Sequence, residues 1–159
     1  MFGSKTTRLL AAVDRYQRQN KKIIAFKPLM DNRYSDVKIC THSGGSLSSV
    51  GVNRGKDILE HLQQEELDYD IVAIDEAFMI EGCAEVTLHL FRQGKTLVVS
   101  SLQLSASGKV FEEVRDMMPW ATKIDVCPAV CPMTGRDAYY THRKIDGLEE
   151  IVIGGKDLY

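Results

Sequence analysis

An α/β fold with a mostly parallel sheet flanked by helices is the architecture this sequence predicts, and three observations predict it. Helical and strand periods alternate along the first two-thirds of the chain, the strand runs are short and apolar, and two of them stop at Pro28 and at Asp75. From Thr6 to Gln19, Leu9, Leu10, Val13 and Tyr16 recur at three- and four-residue spacing with Arg8, Asp14, Arg15 and Arg18 on other faces, which predicts an amphipathic helix. Ile23 to Phe26 is apolar and Pro28 stops it, so residues 22–27 read as a buried strand. After a loop through Asp31 to Ser35, Val37 to Thr41 predicts a second strand. Ile58, Leu59 and Leu62 predict a helix over residues 56–66, and Ile71 to Ile74 a buried strand ending in Asp75-Glu76. A helix over residues 81–93 is closed by Gly94, and Thr96 to Ser100 returns as a strand.

The last third differs. A short helix over residues 110–117 stops at Pro119, and residues 138–144 and 149–153 read as two strands joined by a turn at Asp146-Gly147, a small β-rich subdomain. The division expected is an α/β part over residues 1–126 and a β-rich part over residues 127–159. Gln103 to Gly108, small and polar, is the segment expected to act as a mobile connection.

Composition narrows the function classes. At 159 residues the chain can bury one sizeable core, and a net charge of -2 gives no general attraction for nucleic acid. Nothing reads as a membrane span or a secretory leader, so the cytosol is the expected compartment. Cys40, Cys83, Cys127 and Cys131 are too few and too scattered for a disulfide scaffold.

Met1 to Thr6 read as the second half of a phosphate-binding loop. Gly3 and Ser4 precede Lys5, a point charge, and Thr6, a metal-ligating hydroxyl, at the mouth of a helix whose free N–H groups suit an anion. The loop's first glycine and the strand before it are not in the sequence. Ile71 to Asp75 has the form of the strand whose terminal carboxylate helps hold Mg²⁺ beside such a loop, and Glu76 adds a base next to it.

Together with these, Asp31 through Ser35, Thr41-His42, Gly94-Lys95-Thr96, Ala129-Val130-Cys131, Ala138 through Arg143 and Ile153 through Tyr159 occur in an order that resembles the type II, cellular and bacterial, thymidine kinases over nearly the whole chain. The resemblance implies a P-loop kinase core with a lasso subdomain, ATP and Mg²⁺ as cofactors, and transfer of the ATP γ-phosphoryl group to the 5′-hydroxyl of thymidine or deoxyuridine. It implies phosphate contacts from Lys5, Mg²⁺ held by Thr6 and Asp75, Glu76 as general base, and Arg33 on the transferred group. Phe111, Thr141, Ile151, Ile153 and Tyr159 fall at positions that surround the base in that family. A homo-tetramer is implied too, while the net charge and the lack of a spanning apolar run leave nucleic-acid and membrane partners unexpected.

The sequence departs from the family pattern at several places. Gly and the small residue before Lys5 have exchanged positions, Phe78 stands where the family has Gln, and an Asp, an aromatic and an Arg are replaced in the lasso by Gln103, Ala106 and Gly108. The family's structural zinc uses two cysteine pairs. Cys131 matches one ligand, but Thr134 stands where its mate should be, so a closed zinc site is not expected. The family's first strand would precede Met1, and losing it is expected to cost about 5–12 kcal/mol of burial. The sequence therefore leaves three readings open: a thymidine kinase, a degenerate kinase-like domain acting as a structural or tandem partner, or an unrelated P-loop ATPase that shares only the phosphate machinery.

Overall fold

Ile71–Ile74 (β5) lies inside a parallel sheet, with every residue buried. The structure, a computed structural model, describes residues 3–31, 37–41, 44–64 and 69–144. Ile23–Pro28 (β1) pairs with β5 on one side, and Thr96–Val99 (β6) on the other. Val50–Val52 (β4) completes the order β4-β1-β5-β6, all parallel. Proline is tolerated at the end of β1 because Leu29 takes over the ladder, its N–H donating to Val52 O at 2.8 Å.

The strand period of two divides β5 between two cores. Val72 and Ile74, with Phe26, meet Ile58 and Leu62 of the helix Gly55–Gln64 (α2) and Val86 and Leu90 of the helix Cys83–Arg92 (α3). Ala73 and Ala25 face the other way, against Leu9 and Val13 of the helix Lys5–Arg18 (α1). Alanine on this face lets α1 lie close to the sheet. At the far end of α1 the chain turns through Asn20, whose φ of 57° is the left-handed conformation that Asn tolerates after a helix. Lys22 N–H then donates to Asp70 Oδ2 at 3.0 Å, just before β5. Thus α1 runs the length of the sheet, with its N-terminus over the C-terminal ends of the strands.

Several elements differ from the sequence expectation. Lys38–Cys40 (β2) does not join the main sheet; it pairs antiparallel with Ser46–Ser48 (β3). Neither β3 nor β4 was expected. The strand expected over residues 138–144 is confined to Asp137–Ala138 (β8), paired with Ala129–Val130 (β7), and Tyr139 and Tyr140 are exposed, with no buried face to extend the ladder. The expected strand over 149–153 and its turn lie outside the described residues. Gln103 to Gly108, expected to be mobile, closes into a bonded turn: Ser105 is buried, its N–H donates to Lys109 O at 2.9 Å, and Gly108 N–H donates back to Ser105 O at 3.0 Å. The helix expected over residues 110–117 starts later, as Glu112–Met117 (α4), and runs into a 3-10 turn, Met118–Trp120, that contains Pro119.

Candidate active site

In parallel α/β sheets, ligands bind beyond the carboxyl ends of the strands. Here that edge carries Asp75, one residue past β5. The period of two that turns Ala73 toward α1 also turns Asp75 toward it, and the first turn of α1 holds Thr6. Thr6 Oγ1 donates to Asp75 Oδ2 at 3.1 Å. Two residues that sequence motifs could only list side by side are in contact.

The loop before α1 is under strain. Ser4, its N-cap, has φ 55° and ψ 19°, makes no side-chain cap, and precedes a first turn without acidic residues. The positive end of the helix dipole therefore has no carboxylate of its own first turn to neutralise it. Gly3 cannot carry a side chain, because a Cβ there would collide with the Cys127 carbonyl oxygen. Lys5 is half-buried at the first helical position.

Asp75 is an uncomfortable carboxylate. Burial first, and the Glu76 charge second, push its pKa up to about 6, against the opposing hydroxyls of Ser100 and Thr6 and the Glu76 N–H. Among the described residues its Oδ1 is buried without a hydrogen-bond partner, and so is Ser100 Oγ, which lies near enough to favour the charge without reaching bonding geometry. A buried acceptor left in this state costs about 1–3 kcal/mol. A hard cation ligated by oxygen would satisfy it, so Thr6 and Asp75 fit Mg²⁺. Glu76 follows with φ 48° and ψ 44°. Of the three non-glycine residues at positive φ among those described, Ser4 and Glu76 flank this site, as strain held for function often does.

The sequence profile described as thymidine kinase matches residues 1–159. The chain is also similar to a protein of Pyrobaculum aerophilum named thymidine kinase, at 31% identity over 165 residues, covering 100% of this chain and 89% of that one. This chain belongs to the thymidine kinase family. Its activity class is accordingly that of a nucleoside kinase, and the parallel sheet with flanking helices is the fold expected of it.

Within that family frame, Phe78 and Phe111 meet beside the Asp75-Glu76 edge. Their ring centroids are 4.5 Å apart at 37°. Ala77 N–H donates to Ser100 O at 3.0 Å and Phe78 N–H to Ser101 Oγ at 3.1 Å, which ties the 3-10 turn Ala77–Met79 to the end of β6. Thr141 is half-buried beyond β8, and Gln103 Nε2 donates to Tyr139 O at 3.4 Å across the same region. Arg33, Ile151, Ile153 and Tyr159 lie outside the described residues. Cys131 follows β7, and its thiol pKa is lowered chiefly by the Thr134 hydroxyl, the residue in the absent ligand's place. Among the described residues no three His, Cys, Asp or Glu side chains converge as a metal site, and no helix is long and apolar enough to cross a membrane.

Sequence reasoning missed Lys27. It is 5% exposed, on the strand face that Ala25 shares with α1, and Phe26 before it pairs with Ile74, so Lys27 stands across from Asp75. A lysine closing an apolar strand immediately before proline was the available signal.

Proposed function

We propose that this protein transfers the γ-phosphoryl group of ATP to the 5′-hydroxyl of thymidine or deoxyuridine, a salvage step that supplies DNA precursors. The observation that carries the reading is the 3.1 Å contact between Thr6 and Asp75 with Glu76 directly following. It brings the hydroxyl of the phosphate loop, a carboxylate and a base to one edge of the sheet. Bound Mg²⁺, held by Thr6 and Asp75, would offset charge on the phosphates. Lys5 and the N–H groups of Gly3, Ser4 and the first turn of α1 would hold the β- and γ-phosphates. Arg33 would stabilise charge on the transferred group.

Glu76 accepts the proton of the 5′-hydroxyl as its oxygen bonds to the γ-phosphorus. The bond from that phosphorus to the β–γ bridging oxygen breaks, and ADP leaves with the electron pair. Phe111 and Thr141, with Ile151, Ile153 and Tyr159, would enclose the base. Family likeness supports a cytosolic homo-tetramer. The assembled phosphoryl-transfer residues support an active enzyme over a degenerate domain.

The test is thymidine-dependent release of ADP. Glu76→Gln is expected to lower turnover by about 10²–10⁴-fold, the usual worth of a positioned base, while calorimetry still detects binding of ATP and thymidine. A wild-type protein that turns over no ATP in the presence of thymidine would overturn the reading, and an undiminished Glu76→Gln variant would remove Glu76 from its role.

A further inference from the structure

Glu113 makes two short hydrogen bonds that neither the motifs nor the phosphoryl-transfer chemistry accounts for. Gly82 N–H donates to its Oε1 at 2.7 Å and Ala84 N–H to its Oε2 at 2.7 Å. Gly82 is the N-cap of α3, with φ 75° and no side chain to cap the helix itself. A carboxylate from α4 therefore caps α3 from outside, with both oxygens engaged and the positive end of the helix dipole favouring its charge. The Cys83 thiol between the two donors is pushed up to about 12, by burial first and the Glu113 charge second, so it stays a neutral packing group.

The clamp matters because of what α4 carries. Phe111 is the N-cap of α4, two residues before Glu113, and Val114 and Arg115 N–H groups donate to its carbonyl at 3.1 and 3.0 Å. A helix of six residues does not hold its own orientation in water. Val114, 8% exposed, and the Glu113 clamp fix it against the rest of the protein. Fixing α4 fixes the direction of Phe111, which packs on Phe78, two residues after Glu76.

We propose that Glu113 is a positioning residue for nucleoside binding: by clamping α4 to the N-terminus of α3 it holds Phe111 against Phe78 and so sets the aromatic wall beside Glu76. The role holds only if Phe111 faces the nucleoside, as proposed for this site. Phe78 becomes a specificity determinant in the same wall, since it replaces a polar residue of the family pattern with a ring that supports Phe111.

Steady-state kinetics of the full chain test it. Glu113→Gln keeps the size of the side chain but sets an NH₂ group against one of the two N–H donors. It is expected to raise KM for thymidine about tenfold, the effect of one charge-assisted hydrogen bond, and to leave KM for ATP within about twofold. In a Phe78→Ala background the same substitution is expected to add under about twofold, because the wall it positions is already gone. Glu113→Asp, which keeps the charge but cannot reach both donors, should fall between wild type and Glu113→Gln; it serves for the comparison if Glu113→Gln does not fold. Equal rises in both KM values, or full additivity with Phe78→Ala, would overturn the positioning role. A wild type that is inactive on thymidine overturns the functional reading, and this role with it. An active wild type with unselective variants overturns this role alone.

Discussion

Thr6 Oγ1 donates to Asp75 Oδ2 at 3.1 Å, joining residues 69 positions apart in sequence. The bond supplies only part of what a buried carboxylate needs, since Oδ1 has no partner among the described residues. The Asp75 pKa is accordingly raised from 3.8 to about 6. Between those values the unfolded chain has released the proton and the folded one still holds it. The residue's contribution to stability is therefore greatest below 3.8, falls as pH rises through about 6, and is least above that. Asp75→Asn removes the charge and keeps the shape. In metal-free buffer the variant is expected to be more stable than wild type at about pH 8, by on the order of 1–3 kcal/mol, with the gain disappearing below about pH 4. Urea unfolding at the two pH values measures this, and a variant less stable at the higher one would contradict it.

The same pair predicts the response to magnesium. Mg²⁺ is expected to raise the melting temperature at about pH 8, and the rise should shrink as pH falls through about 6, where Asp75 takes up its proton. Thr6→Val removes one proposed ligand while keeping the volume. It is expected to weaken apparent Mg²⁺ affinity by about tenfold or more. A melting temperature that responds to Mg²⁺ equally in wild type and Thr6→Val would count against these two residues as the metal's ligands.

Gly3 and Ser4 make opposite predictions, although they are neighbours. Ser4 holds φ 55° with a side chain, a conformation suited to glycine. Ser4→Gly is therefore expected to stabilise the protein by about 0.5–1 kcal/mol. Gly3 lies against the Cys127 carbonyl, and Gly3→Ala must push backbone away from backbone. It is expected to cost about 1–3 kcal/mol, as overpacking does. Thermal unfolding of the two variants separates these effects. Equal signs would mean that the exchange of Gly and Ser relative to the family pattern carries no conformational consequence.

That exchange shows where the sequence was legible and where it stopped. Ile71 to Ile74 and Thr96 to Val99 announced themselves as strands because they are short apolar runs with clear stops, and α1, α2 and α3 because their apolar residues keep the helical period. Val50–Val52 did not: three residues with a central glycine have little strand propensity, and their extended form comes from pairing with β1. Lys5, Thr6, Asp75 and Glu76 were readable as motifs. Their contact was not, because it depends on α1 lying on the face that Ala73 and Asp75 share. The left-handed backbone at Ser4 and Glu76 has no residue-type signal, since neither is a residue that favours it. The Glu113 clamp was invisible for a different reason: its partners lie 31 and 29 positions away, and a glutamate early in a helix reads as an ordinary first-turn charge.

Lys95 lies away from the Thr6–Asp75 edge. Gly94-Lys95-Thr96 has the lettering of a phosphate loop, yet it enters β6 at the end where Thr96 pairs with Ile71, whereas Asp75 follows Ile74 at the other end, opposite Val99. Lys95 Nζ donates to Tyr69 O at 2.7 Å and sits 4.3 Å from the centre of the Tyr69 ring. Burial raises the Tyr69 pKa, so the ring stays neutral beside the ammonium group at ordinary pH. Lys95 is thus a tether between the entrances to β5 and β6. Lys95→Ala is expected to lower stability by about 2–4 kcal/mol, the sum of a hydrogen bond to a charged donor and a cation–π contact at a half-buried site. KM for ATP should stay within about twofold of wild type. A phosphate-binding Lys95 would give the reverse, a large rise in KM for ATP with little change in melting temperature, and measuring both on the same variant distinguishes the two.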